Sequence, residues 1–115
     1  LHARNQADAL LYILDYLEPT SYPNSDRPDK YNVVGEKEID NLEMAKLVAK
    51  YWGKELQFEF QDFHTTRPGH DSRYALDGRK LQEAGWKPPM SLESSLQSTV
   101  EWTKNNPEWL WREIA

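Results

Sequence analysis

The chain has 115 residues, 38% of them hydrophobic and five of them tryptophan, with a net charge of −5 and no cysteine. That length fits one small domain with a modest core, and the acidic balance removes the nonspecific pull toward nucleic acid or an anionic membrane surface. Without cysteine there is no disulfide framework or thiolate chemistry, no apolar run approaches the roughly 20 residues of a membrane span, and no signal-peptide pattern is present, so a cytoplasmic location is expected.

In chain order, residues 5–17 are predicted as a helix. Ala7, Leu10, Leu11, Leu14 and Leu17 recur at three- and four-residue spacing along one face, Ala9, Ile13 and Tyr16 widen it, and Pro19 ends it. Residues 18–30 hold three prolines and almost no aliphatic side chain, which predicts a polar, mobile loop. Tyr31–Val34 is a short β-type run closed by Gly35. The next helix is signalled at both ends. Asp40 and Glu43 form a capping-box pattern, Leu42, Ala45, Val48, Ala49 and Trp52 share a face, and Gly53 suits the left-handed residue past the end. Leu56–Phe60 alternates, with Leu56, Phe58 and Phe60 on one side. Strand, helix and strand together predict a βαβ unit, hence a short, mainly parallel sheet patch. Asp77 is placed to cap a short helix through Leu81 and Ala84 that stops at Gly85. Ser91 is placed to cap a longer one carrying Leu92, Leu96 and Val100. Asn106-Pro107 opens a last short helix with Trp109, Leu110, Trp111 and Ile114. Trp102, Trp109 and Trp111 read as core or interface residues. The expectation is a single α/β domain over residues 1–115 with four or five helices.

The stretch TTRPGHDSRYALD, from Thr65 to Asp77, is richer than a bland loop needs. Arg67 carries a permanent, planar charge that fits two phosphate oxygens at once. Pro68-Gly69 is a turn that lets backbone approach a ligand. His70 can donate to a ribose or phosphate oxygen or stack on a ring. Asp71 and Asp77 are placed to hold Arg73. The plain alternative is a turn laced with surface ion pairs, which are common and contribute little. His64, His70 and Asp71 match no standard metal spacing, and no metal is expected. His2 says little.

The order of these residues resembles a known family. RPGHDSRYALD, then LQEAGWKP, then SLESSLQSTVEW are similar to the C-terminal segment of dTDP-glucose 4,6-dehydratases, extended short-chain dehydrogenases/reductases of the NAD-dependent epimerase/dehydratase superfamily. YNVVGEKEIDNLEMAKLV and LHARNQADALLYIL resemble the segments upstream of it, so the likeness spans essentially the whole chain. It departs at Asn5, where the family usually has Asp, at Ser72, where a second arginine is usual, and in the long 18–30 loop. The resemblance implies that Arg67 and His70 contact a nucleoside-diphosphate sugar, that Pro68 and Gly69 shape the same stretch, and that Asn41 is a further contact. Asn41 also reads as an ordinary helix-start residue beside Asp40. Tyr74 reads as packing rather than binding, and Asn32 as either a ladder residue or a ligand contact.

The family's internal redox cycle uses NAD on a Rossmann half with a glycine-rich turn, and a Tyr-x-x-x-Lys pair. This chain has no G-x-G-x-x-G and no tyrosine followed four residues later by lysine; Tyr51 and Lys54 are three apart. The implied architecture is the small lobe of such an enzyme without its Rossmann half, binding no cofactor alone and not catalytic alone. Apolar surface is then expected to be covered by that half or by a homodimer. Two functions stand open: the nucleotide-sugar-binding portion of a 4,6-dehydratase or epimerase, and a non-enzymatic structural or interaction protein that kept the fold and lost the ligand. A nucleic-acid module is disfavoured by the charge.

Overall fold

Five α-helices and one 3-10 turn, joined by irregular segments, punctuate the described residues, 1–19 and 22–111, of a computed structural model. They are α1 (Ala3–Tyr16), α2 (Asn41–Trp52), α3 (Phe63–Thr66), α4 (Arg79–Glu83) and α5 (Leu92–Asn105), with the 3-10 turn at Pro107–Trp109. The residues fall into two compact units, 1–38 with 76–96, and 39–75 with 97–115. Ile114, expected in the last short helix, lies outside the described residues, as do Thr20 and Ser21 of the 18–30 loop.

The capping signals hold. The Asp40 carboxylate accepts from the Glu43 N–H at 2.7 Å, and Gly53 closes α2 at φ +80° with its N–H on Ala49 O. Ser91 Oγ accepts from the Ser94 N–H at 3.1 Å to open α5. α4 starts one residue later than a cap at Asp77 implies, yet Asp77 Oδ1 still accepts from the Arg79 N–H at 3.0 Å.

The first unit is built around Ala9, Leu81 and Trp86, with Tyr12, Ile13, Leu17, Tyr31 and Val33 packed against them. This reverses the expected face of α1. Leu10, Leu11 and Leu14 are the exposed stripe, Leu14 at 79%, while Asn5 and Ala9 turn inward. Two features select the inward face. Ala9 is small enough to bring the helix against the core. Asn5, 2% exposed, pairs with both main-chain groups of one residue: its Nδ2 donates to Met90 O at 3.0 Å, and its Oδ1 accepts from the Met90 N–H at 2.9 Å. An ionised Asp at this position, as in the family pattern, offers only the acceptor half. Trp86 Nε1 donates to Asp8 at 2.8 Å, and Tyr12 Oη donates to Ala84 O at 2.8 Å. Gly85 follows α4 at φ +102°, and a Cβ there would stand 2.6 Å from the Tyr12 hydroxyl.

Residues of the 18–30 loop are tied to α4. Lys80 Nζ donates to Asp29 Oδ1 at 3.1 Å and to Lys30 O at 2.9 Å, and lies 4.2 Å from the Tyr31 ring centroid. Tyr22 Oη donates to the same Asp29 oxygen at 2.7 Å. In the second unit, Lys104 of α5 donates to Tyr51 O at 3.1 Å and lies 5.5 Å from the Trp52 ring centroid, clipping α5 to the end of α2.

The sheet patch is not formed. Among the described residues there is no strand, and the one β-bridge joins Tyr22 to Ser25 within a turn. Neither Tyr31–Val34 nor Leu56–Phe60 forms a ladder. Alternation at Leu56–Phe60 is real, since the Phe58 and Phe60 rings meet edge-on at 5.4 Å, but they are 53% and 83% exposed. A pleated segment becomes a strand only when a neighbour accepts its N–H groups, and these residues contain no such neighbour. At Tyr31–Val34 the side chains pack instead: Val34 fills the space where Gly78 lacks a Cβ.

Candidate functional site

Arg67-Pro68-Gly69-His70 is a closed β-turn. The His70 N–H donates to Arg67 O at 3.2 Å, and Gly69 has φ +76°. Proline second and a positive-φ glycine third is the pattern of a type II turn, which holds its end Cα atoms within about 7 Å. Arg67 and His70 are therefore brought together. The turn is launched by α3, which Asp62 caps by accepting from the His64 N–H at 3.0 Å, and the Arg67 N–H donates back to Phe63 O at 2.7 Å. Arg67 is exposed, and among the described residues its guanidinium meets no carboxylate.

Around the turn lies a row of rings. Phe63 stacks on His64 at 4.5 Å and meets His70 edge-on at 6.3 Å and 76°. His70 meets Tyr74 at 5.7 Å and 62°. Sequence reading missed Phe63 altogether, since a single phenylalanine between polar neighbours carries no periodic signal. Among the described residues no group of three or more His, Cys, Asp or Glu is placed to hold a metal ion.

Asn41 is the first residue of α2, exposed, in the same unit as the turn; its side chain makes no hydrogen bond among the described residues. Asn32 is neither a ladder residue nor free: its Nδ2 donates to Asp77 O at 3.0 Å. Asp77 engages Arg79 rather than the expected Arg73, because the helix start turns the Arg79 side chain and N–H toward it. Arg79 Nε and Nη2 reach Asp77 Oδ2 at 3.0 and 2.6 Å. These donors, with the Arg79 N–H, hold the Asp77 carboxyl at about 2, below its usual 3.8. A folded-state value below the unfolded one means that the pairing favours the fold above about pH 4 and is lost as pH falls toward 2. NMR titration of the Asp77 carboxyl should find its midpoint near 2 at low salt, moving up in Arg79→Gln; an unmoved midpoint removes the pairing.

A cavity of about 330 Å³ lies in the first unit, lined among others by Asn32, Glu36, Gln82, Trp86 and Lys87. Neither Asn41 nor the Arg67–His70 turn lines it.

No protein-family model matches the chain. Curated relatives do. dTDP-glucose 4,6-dehydratase 1 of Escherichia coli K12 is 36% identical over 88 residues, covering 71% of this chain and 24% of the relative. A probable dTDP-glucose 4,6-dehydratase of Sinorhizobium fredii is 33% identical over 97 residues, covering 75% and 26%. The trifunctional UDP-glucose 4,6-dehydratase/3,5-epimerase/4-keto-L-rhamnose reductase of Arabidopsis thaliana is 35% identical over 85 residues, covering 74% and 12%. Among solved structures, dTDP-glucose 4,6-dehydratase of Bacillus anthracis in complex with NAD superimposes with a TM-score of 0.70 at 28% identity, over 95% of this chain and 31% of that one.

These matches put the chain in the NAD-dependent epimerase/dehydratase superfamily of extended short-chain dehydrogenases/reductases. Within it the chain belongs with the dTDP-glucose 4,6-dehydratases, spanning about a quarter of the bacterial ones.

The residues present do not fit NAD. A dinucleotide cradle needs clustered glycines ahead of a helix N-terminus. Gly35 precedes α2 with no second glycine beside it, Gly53 and Gly85 follow helix ends, Gly69 sits in the turn, and the space before α4 at Gly78 is filled by Val34.

Proposed function

We propose that this chain is the C-terminal, nucleotide-sugar-binding portion of a 4,6-dehydratase or epimerase, and that it does not catalyse alone. Arg67 takes the diphosphate, His70 a neighbouring oxygen, and Asn41 a further polar group of the nucleotide sugar. Pro68 and Gly69 hold the turn that joins the first two. The observation that carries this reading is the turn itself: an exposed cation that meets no carboxylate among the described residues and an imidazole are joined by a positive-φ glycine, in a chain related to enzymes named for dTDP-glucose. On this reading NAD and the acid–base groups of the reaction are supplied by the rest of such an enzyme.

Because the turn is exposed and does not line the cavity of the first unit, affinity is expected to be low, with Kd on the order of 0.1–1 mM for dTDP or dTDP-glucose. Calorimetry should show this binding, and Arg67→Ala should weaken it at least tenfold, the loss expected for a charged hydrogen-bond pair. Equal heats from wild type and Arg67→Ala would remove the assignment.

A second reading, an interaction protein without a ligand, is favoured by the apolar exposure: Leu14 at 79%, Phe60 at 83% and Trp111 at 81%. Its expected partner is a Rossmann half or a second copy. Absence of dTDP binding at millimolar ligand, with self-association in sedimentation, supports that reading instead.

A further inference from the structure

The ring row around the turn has a function of its own. We infer that Phe63 and Tyr74 are positioning residues that hold the His70 imidazole in a fixed orientation beside Arg67. This rests on the reading of Arg67 and His70 as ligand contacts and adds what sets their geometry.

His70 is exposed and ends a turn, so without neighbours its ring would sample several rotamers. Two rings prevent that. Phe63 approaches at 6.3 Å and 76°, Tyr74 at 5.7 Å and 62°. Both distances lie in the range of edge-to-face aromatic pairs, and the steep angles are those the ring quadrupoles favour. The two contacts come from opposite directions along the chain, seven residues before His70 and four after it. Phe63 is itself half-buried and braced by the His64 ring at 4.5 Å, so it is the fixed end of the row. Tyr74 is 72% exposed, so burial does not explain its place; the ring it meets is His70. Ordering a free side chain on binding costs up to about tenfold in affinity, and the row removes that cost before the ligand arrives.

The test uses the whole chain with dTDP as the probe, and the His70 ring protons by NMR. In the wild type those protons are expected to be displaced by ring currents and restrained. In Tyr74→Leu they move toward free-histidine positions, and dTDP binds about three- to tenfold more weakly. Tyr74→Phe, which keeps the ring, restores both. The thermal midpoint of Tyr74→Leu stays at the wild-type value, since Tyr74 contributes little burial, which separates orientation from unfolding. His70 resonances that do not move in Tyr74→Leu, or dTDP affinity that does not change, overturn the inference alone. A wild-type chain that binds no dTDP overturns the function proposed above and takes the ligand half of this inference with it.

Discussion

Trp86→Ala is expected to remove about 3–5 kcal/mol of folding free energy, the range for deleting a large buried aromatic. Trp86 is 4% exposed and, with Ala9 and Leu81, is one of three fully buried apolar residues at the centre of the first unit. A domain of this size has only about 5–15 kcal/mol in total, so the variant loses a large share of its stability. The neighbours cannot collapse into the gap cheaply. Ala9 has no side chain to extend, and Tyr12 is tethered through its hydroxyl to Ala84 O. Trp86→Phe separates packing from hydrogen bonding. It keeps most of the ring but loses the indole donor to Asp8, and is expected to cost about 1–2 kcal/mol. Thermal unfolding followed by circular dichroism orders the three proteins. Equal losses for Phe and Ala would mean that the indole hydrogen bond, not the packing, holds the site.

Asn5→Ala should cost about 2–4 kcal/mol, roughly 10 °C in thermal midpoint. The amide satisfies both the N–H and the C=O of Met90. Truncation leaves two backbone groups facing a site that is 2% exposed, and an unpaired buried group costs its full desolvation. Denaturant melts with unchanged slope and a lowered midpoint would show a native-state loss. A loss under about 1 kcal/mol would mean that water replaces the amide and that the bridge does not anchor α1 to the approach of α5.

Much of the local structure was legible from residue order. Asp40, Glu43 and Gly53 act within a few residues of one another, so their consequence for α2 does not depend on the rest of the chain. The same is true of Ser91 at the start of α5 and of Pro68-Gly69, whose φ preferences close the turn between Arg67 and His70. What failed were readings that need a partner distant in sequence. The β-type runs at Tyr31–Val34 and Leu56–Phe60, the second with strict alternation, had no ladder neighbour among the described residues. The Asp77 pairing went to Arg79 because a helix start, not charge spacing alone, decides which guanidinium is in reach. Phe63 gained a role only because the chain folds back to set its ring against His70.

Composition, capping residues and turn chemistry by themselves determined an acidic chain with α2, α4 and α5 near their places and a basic turn at Arg67–His70, since each acts over one or two turns of chain. Tertiary structure alone decided which stripe of α1 faces inward. Two apolar stripes were available, and Asn5 meeting Met90, 85 residues away, selected the one with fewer leucines. A helix reads as amphipathic from its own spacing, but the side it buries is chosen by whatever polar group on that side finds its partner.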